Sequence, residues 1–244
     1  MVLGPQNLAD RLRAVRARIA LAAAQCGRNA DSITLVAASK SQPLTAIEAA
    51  AALGVRDFGE SYVQEALEKL TAPQAASLTW HFIGRIQANK TRSLAERFAW
   101  VHSLDRLEHA RRLASQRPYH APALNVCIQV SLAAEPGKSG AAPAEVRALA
   151  GAVAELPRLA LRGLMCLPPE ENSLAGQRRW FAELRGMFED LNAQGAGLDT
   201  LSMGMSADLE AAVLEGATLV RIGTALFGPR TRGHPARGPD TSPP

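Results

Sequence analysis

Eight short apolar segments run along the chain, and each of the first seven is followed by a segment patterned as a helix. The apolar segments, such as residues 33–38 and 124–130, are mostly apolar at successive positions, which is typical of strands covered on both faces in a parallel sheet. Strands that alternate with helices predict right-handed βαβ units. Eight strands in about 190 residues favour an α/β fold of the TIM type, a single (β/α)8 barrel. A doubly wound open sheet is the alternative.

The predicted strands lie at residues 33–40, 55–58, 79–83, 100–104, 124–130, 159–165, 201–203 (the end of the seventh) and 219–222. Helices are predicted at residues 43–53, 63–70, 87–98, 106–117, 143–156, 178–192 and 208–215. An extra amphipathic helix at 8–24 precedes the first strand and is expected to pack outside the barrel or to plug one end. We expect the barrel domain to span residues 1–230. Residues 231–244, rich in Pro and Gly, are expected to form a disordered, flexible tail.

Composition excludes several classes of function. The net charge is only +4, the arginines are scattered, and aromatic residues make up 5% of the chain, so nucleic acid is not expected as a partner. The three cysteines have no metal-ligand or pairing pattern and no secretory signal accompanies them, which predicts a reducing, cytoplasmic setting and no metal site. No apolar run approaches the roughly 18 residues of a membrane span.

Lys40 ends the first predicted strand, where α/β folds place their ligands. Of 27 basic residues only four are lysines, at positions 40, 69, 90 and 138. A chain that uses arginine for ordinary positive charge favours lysine where an amine must lose its proton and attack a carbonyl. The alternative is an ordinary lysine leaving the core for water, and position alone does not decide between them.

Small residues follow the seventh and eighth strands. Ser202, Gly204 and Ser206 form a turn before a helix, which Ser206 is expected to cap, and Gly223 and Thr224 follow the eighth strand. Glycine lets backbone N–H groups approach an anion, and barrels often hold a phosphate at these two loops. The two turns therefore predict a phosphate site, and a capped helix with no ligand is the alternative.

An amine after strand one and a phosphate site after strands seven and eight together fit pyridoxal 5′-phosphate (PLP). Its aldehyde would form a Schiff base with Lys40. Arg221, on the eighth strand, would face the pyridine nitrogen and keep it unprotonated, because arginine does not give up a proton near neutral pH. Arg221 as a structural ion-pair partner is the alternative.

Seven segments, in the same order, resemble the pyridoxal phosphate homeostasis protein family, which is similar to the barrel domain of alanine racemase. The resemblance extends from about residue 8 to residue 228. The matching segments are VAASK at 36–40, FGESYVQE at 58–65, WHFIGRIQANK at 80–90, KSG at 138–140, RGLM at 162–165, LSMGMS at 201–206 and VRIGTALFG at 220–228. No single segment is specific, whereas seven in order are.

The resemblance implies PLP as cofactor and assigns roles by position. Lys40 would carry the Schiff base and Arg221 would face the pyridine nitrogen. The remaining implied cofactor residues are Ser202, Gly204, Ser206, Gly223 and Thr224 at the phosphate, Met203 near the ring, Ser61 near the cofactor, and His81, Asn89, Lys90, Lys138 and Met165 lining the mouth. Two positions depart from the family pattern: Ser61 stands where Asn is usual, and Gln42 where many members carry a second lysine.

The resemblance favours a non-catalytic PLP carrier or regulator, with PLP-dependent apo-enzymes as candidate recipients and a monomer rather than a dimer. The alternative is a PLP-dependent amino-acid racemase, which needs a second base on the opposite face of the substrate carbon. In alanine racemase that base comes from a domain after the barrel, whereas only 16 residues follow Gly228. A third reading, an enzyme that forms an imine with a sugar phosphate, lacks an obvious acid–base pair.

Overall fold

The structure, a computed structural model that describes residues 5–133 and 139–229, contains a closed parallel barrel with eight strands in chain order. The strands are β1 Thr34–Ala38, β2 Asp57–Glu60, β3 Thr79–Phe82, β4 Trp100–Leu104, β5 Leu124–Val130, β6 Leu159–Cys166, β7 Thr200–Ser202 and β8 Leu219–Ile222. The helices are α1 Pro5–Gln25, α2 Leu44–Ala52, α3 Val63–Leu70, α4 Thr91–Arg97, α5 Leu107–Gln116, α6 Pro143–Ala154, α7 Leu174–Ala193, α8 Leu209–Leu214 and α9 Thr224–Phe227. The TIM-type barrel is therefore confirmed, whereas the predicted tail at 231–244 and Lys138 lie outside the described residues.

The barrel closes because β8 pairs in parallel with β1. Val36 lies opposite Arg221, and Ala37 lies opposite Ile222. This pairing brings the last strand of the chain beside the first, so that the carboxyl ends of β7, β8 and β1 are neighbours at one mouth. The polar loops that the sequence singles out thus lie on one side of that mouth.

The strand bounds agree closely with the prediction except at β2. The predicted strand at 55–58 is displaced, since pairing with β1 begins at Asp57 opposite Val36 and ends at Gly59 opposite Ala38, and β2 itself extends to Glu60. Glu60, which lies beyond the predicted strand, is thus the last residue of β2 and is completely buried. This displacement creates a buried carboxylate where the sequence suggested a loop residue.

The helix α1 packs on the outside of the barrel, one of its two expected positions. Its apolar stripe, which includes Leu12, Val15 and Ile19, is buried. Arg18 forms a two-pronged ion pair with Glu210 on α8, at 2.6 and 2.8 Å. Because α9 has only four residues, α1 covers the part of the barrel wall that an eighth long helix would cover.

Two predicted helices have different bounds. The helix predicted at 178–192 starts earlier, because the Ser173 hydroxyl accepts a hydrogen bond from the Gly176 amide and caps α7. The helix predicted at 87–98 is α4, preceded by a 3-10 turn at Ala88–Lys90. In the described part of the chain, none of the helices combines the length and apolar character needed to cross a membrane.

Candidate functional site

Lys40 lies two residues beyond β1 in a tightly held turn, and it is half-buried. Its neighbour Ser41 has a φ of 60°, which is the left-handed region that side-chain-bearing residues rarely adopt. The Ser41 amide donates to Glu65 Oε1 of α3 at 2.6 Å. The turn that carries Lys40 is thus fixed to the helix behind it.

A buried ion cluster, formed by Ser39, Glu60, Glu65 and Lys69, supports this turn from outside the barrel wall. The Lys69 ammonium donates to the Ser39 carbonyl at 2.8 Å, to Glu60 Oε1 at 2.7 Å and to Glu65 Oε1 at 2.6 Å. Burial raises the pKa of Glu60, and the nearby Lys69 charge opposes that rise. Since an ammonium has three N–H donors, all of Lys69's donors are used, and it is a poor candidate for attack on an aldehyde.

The turns after β7 and β8 are hydrogen-bonded to each other and lie against β1. The Arg221 amide donates to the Gly204 carbonyl at 2.9 Å, and the Ala225 amide donates to the Ser206 hydroxyl at 3.1 Å. A Cβ placed on Gly223 would lie 3.4 Å from the carbonyl oxygen of Ala38, two residues before Lys40. The two small-residue turns and the lysine turn therefore form one continuous part of the mouth.

Ser206 does not cap the helix that follows it, which corrects the sequence expectation. The helix α8 begins at Leu209, and Asp208 rather than Ser206 precedes it directly. Asp208 Oδ1 accepts the Met205 amide at 2.5 Å and so closes the turn. Ser206 instead accepts from the first turn of α9, because Gly204 has a φ of 92° and redirects the chain toward β8.

Arg221 points into the barrel and is 3% exposed. Its guanidinium donates to Ser202 Oγ at 2.7 Å and to the Cys166 carbonyl, at the carboxyl end of β6, at 2.9 Å. Both acceptors are neutral, and no ion pair within residues 5–133 and 139–229 involves Arg221. Burial lowers the pKa of this guanidinium. Its positive charge is therefore held near the mouth without a carboxylate partner.

A line of polar side chains, here called the interior chain, continues from Arg221 through the barrel. It consists of Asp57, His81, His102, Ser202 and Arg221. Ser202 Oγ lies 2.7 Å from His102 Nδ1, His102 Nε2 lies 2.9 Å from His81 Nδ1, and His81 Nε2 lies 3.0 Å from Asp57 Oδ1. Because β4 and β7 are not neighbouring strands, the contact between His102 and Ser202 must cross the barrel interior.

Several sequence-predicted site residues occupy positions other than the rim. His81, expected to line the mouth, lies inside the barrel at 1% exposure, because it is an inward residue of β3 bonded toward the amino end of β2. Met165 and Met203 are completely covered. Ser202 is also covered, and its hydroxyl is engaged by His102 and Arg221 rather than open to a phosphate.

Other predicted residues do lie at the rim. Ser61 is half-buried after β2, and its carbonyl lies so close to Gly84 that a Cβ there would sit 2.1 Å away. Thr224 is exposed at the start of α9. Asn89 is exposed and Lys90 half-buried in the 3-10 turn before α4.

Sequence reasoning missed the residues that hold the site in place. Asp57, His102 and Lys69 received no role. A signal was present, since His81 and His102 each interrupt an otherwise apolar strand segment. Glu65 and Lys69 are four residues apart, a spacing that places them on one helix face.

Comparison with known proteins places the chain in a family. The family model described as "Alanine racemase, N-terminal domain" matches residues 11–231. A pyridoxal phosphate homeostasis protein from Pseudomonas aeruginosa is 55% identical over 230 residues, which cover 94% of this chain and 99% of the relative. A protein of the same name from Escherichia coli is 48% identical over 227 residues, which cover 92% and 97%.

Solved structures agree with this assignment. PipY from Synechococcus elongatus, in a structure with PLP bound, has a TM-score of 0.80 and 37% identity, over 91% of this chain and 100% of that chain. An alanine racemase from Clostridium difficile, at 15% identity and a TM-score of 0.69, matches 89% of this chain and 56% of its own length, and shares the fold alone. The chain belongs to the pyridoxal phosphate homeostasis protein family, whose barrel is that of the alanine racemase N-terminal domain.

Proposed function

We propose that this chain binds PLP through a Schiff base on Lys40 and acts in PLP homeostasis as a carrier or regulator without turnover of its own. The observation that carries the proposal is the meeting of Lys40, Arg221 and two small-residue turns at the adjoining ends of β1, β8 and β7. The relatives named above support it, since they are named as homeostasis proteins and PipY has been solved with PLP bound.

The residues present fit the chemical groups of PLP. The cofactor has an aldehyde, a pyridine nitrogen and a phosphate, and when bound it supplies an electrophilic carbon and an electron sink. Lys40 would supply the deprotonated amine that condenses with the aldehyde, with loss of one water. The ion cluster of Ser39, Glu60, Glu65 and Lys69 fixes the turn from which Lys40 extends. The lysine is thereby oriented before the cofactor arrives.

Arg221 would act as a cation against the pyridine nitrogen. Its donors already meet Ser202 and the Cys166 carbonyl, and among the described residues no carboxylate forms an ion pair with it, although the Asp208 charge acts on it from a distance. An arginine keeps its own proton, so the pyridine nitrogen stays unprotonated and the ring remains a weak electron sink. This arrangement suits retention of the aldehyde better than formation of a carbanion.

The phosphate would lie at the turns that contain Gly204, Ser206, Gly223 and Thr224. These turns combine backbone that approaches closely with two hydroxyl groups, which is the chemistry of an anion site. Ser202 would act through Arg221, because its hydroxyl is committed to the interior chain. Contacts of the cofactor with Met203, Met165 and Ser61 remain predictions, as do apo-enzyme recipients, a monomeric state and a cytoplasmic setting.

The test is covalent trapping with borohydride followed by mass spectrometry. The wild type should show an absorbance band near about 420 nm with PLP and a reduced adduct on Lys40. Lys40→Ala and Lys40→Arg should both lose the adduct, because neither supplies a nucleophilic amine. Lys90→Arg is the matched control, since it removes another half-buried lysine and should leave the adduct unchanged.

An adduct at full yield in Lys40→Ala would show that Lys40 is not the anchoring residue. The racemase alternative is tested on the same protein with L- and D-alanine and other amino acids. Turnover above roughly 1 per second, the low end of typical enzymes, would assign catalysis to the chain.

A further inference from the structure

The interior chain spans the barrel from one end to the other. Asp57 is the first residue of β2, at the amino end, and its side chain is 28% exposed. Arg221 bonds the Cys166 carbonyl at the carboxyl end of β6, near the mouth. His81, His102 and Ser202, between them, are at most 1% exposed. Both ring nitrogens of each histidine have a polar partner, so the chain has no gap.

When both histidines are neutral, the Asp57 carboxylate fixes the direction of every hydrogen bond in the chain. A guanidinium has donors only, so Arg221 must donate to Ser202 Oγ. The Ser202 O–H then donates to His102 Nδ1, and His102 Nε2–H donates to His81 Nδ1. His81 Nε2–H finally donates to the Asp57 carboxylate, which accepts. For two neutral histidines this places the proton on Nε2 of each ring, because the Asp57 carboxylate at the end of the chain can only accept.

The geometry points to a positioning role for Asp57, His81, His102 and Ser202: together they hold the Arg221 guanidinium in place and set how it faces the cofactor. This inference rests on the proposed function, in which Arg221 faces the pyridine nitrogen. A proton added to His81 Nδ1 would set it against the His102 Nε2–H donor, so His102 would have to carry its proton on Nδ1 and donate to Ser202 Oγ. The arginine at the mouth is therefore linked to the protonation state of groups at the opposite end of the barrel.

The surroundings of the two histidines keep them neutral. Burial lowers the pKa of both, and Arg221 also lowers that of His102, whereas Asp57 raises that of His81. The remaining titratable groups lie around Arg221 or at the amino end, and those around Arg221 include Asp208, whose charge raises the pKa of the guanidinium against the effect of burial. Cys127 on β5 and Cys166 on β6 are thiols whose pKa burial raises to about 12.

At the amino end of the barrel, the charged side chains Arg162 and Asp199 lie beside the interior chain and form an ion pair. Arg162 on β6 pairs with Asp199, which precedes β7, and Arg162 also lies over the Trp100 ring at 5.2 Å. Trp100 in turn stacks on His81, with ring centroids 5.5 Å apart. Among the described residues, Asp57 is therefore the carboxylate that contacts the interior histidines, through His81 Nε2.

The first test uses the protein without PLP and reads the histidine tautomers by long-range ¹H–¹⁵N NMR. Single substitutions assign His81 and His102 among the five histidines. Both should show the neutral Nε2–H form at pH 7.5 in the wild type. An Nδ1–H tautomer or an imidazolium at either position would overturn the inference, whatever the cofactor does.

The second test compares serine variants with PLP bound. Ser202→Ala should weaken PLP binding on the order of tenfold, because Arg221 loses a partner that fixes it. It should also move the pH midpoint of the bound cofactor's absorbance by about half a unit or more, a threefold change in proton affinity. Ser202→Thr retains the hydroxyl and should restore both values. Ser103→Ala is the matched control, since Ser103 is buried and its hydroxyl has no hydrogen-bond partner.

A third variant tests action from the far end. Asp57→Ala should move the absorbance midpoint in the same direction as Ser202→Ala but less, because water can replace a half-exposed carboxylate. If wild type binds PLP and neither variant differs from Ser103→Ala, the positioning role is wrong. If wild type forms no adduct on Lys40, the proposed function fails instead, and the tautomers still test the hydrogen-bond direction.

Discussion

The Lys40 turn and the Arg221 guanidinium are held by opposite kinds of support. Behind Lys40, between the barrel wall and α3, an ammonium and two carboxylates form a buried ion cluster. Behind Arg221, inside the barrel, two histidines and a serine form a neutral chain. Opposite charges are thus paired where the Lys40 turn is fixed. At Arg221, a cation is left without an ion-pair partner among the described residues.

The energetic consequences of the two supports differ. A buried ion pair contributes little net stability when intact but costs several kcal/mol when one partner is removed. Each hydrogen bond in a neutral chain contributes less than a bond between charged groups. The chain is disrupted when protonation turns an acceptor nitrogen into a donor. The comparison predicts that the cluster is sensitive to substitution and the chain is sensitive to pH.

The largest effect is expected from Lys69→Met. Removal of the ammonium leaves Glu60, which is fully buried, without its cation, and Glu60 Oε2 already lacks a hydrogen-bond partner. We expect a loss of about 3–5 kcal/mol in the free energy of unfolding, measured by urea denaturation at pH 7.5. The double variant Lys69→Met, Glu60→Gln should recover part of the loss, because the stranded charge is gone.

An exposed ion pair provides the control for this substitution. Arg13 and Asp10 on α1 have side chains that are 76% and 67% exposed. Arg13→Met should change the free energy of unfolding by less than about 0.5 kcal/mol. If Lys69→Met also changed the free energy of unfolding by less than about 0.5 kcal/mol, the buried cluster would not hold the Lys40 turn.

The second effect is the loss of stability on acidification that the interior chain should cause. Burial lowers the pKa of His81 and His102 in the folded state, while unfolded histidine titrates near about 6.5. Below that pH the unfolded chain binds more protons, so the free energy of unfolding falls as pH decreases. Each histidine contributes at most about 1.4 kcal/mol per pH unit.

Denaturation between pH 8 and pH 5.5 measures this slope, and His102→Gln should reduce it. Substitution of the exposed His120 by Gln should leave it as in the wild type. Glu60, whose pKa is raised, acts in the opposite direction, but it is common to all three proteins and cancels in the comparison. Equal slopes in wild type and His102→Gln would contradict a neutral buried His102.

The smallest effect is expected from Ser41→Gly. Ser41 occupies the left-handed region, where a Cβ costs roughly 1–2 kcal/mol. Glycine removes this cost, but it also raises the entropy of the unfolded chain, which offsets part of the stabilisation. We expect a net stabilisation of about 0.5–1 kcal/mol by urea denaturation. Ser41→Ala retains the Cβ and should not stabilise, so equal gains for both variants would show that backbone strain is not the cause.

The regular alternation of strands and helices was enough to predict the barrel, because local apolar patterns determine which segments become strands. It also placed Lys40, Arg221, Gly204 and Gly223 near strand ends. The Lys69 cluster and the interior chain were not predicted, since each depends on side chains from separate elements. His102 meets Ser202 across 100 residues of sequence, a contact that exists only after the strands curve into a ring.

The pairing of β8 with β1 also has a consequence for biosynthesis. Lys40 is made before Arg221, and the strands that carry them pair only when β8 docks against β1. A ribosome-bound fragment that lacks residues 219–222 therefore has neither Arg221 nor a closed barrel. If the proposed site needs both groups, its first capture of ligand would report that the ring has closed.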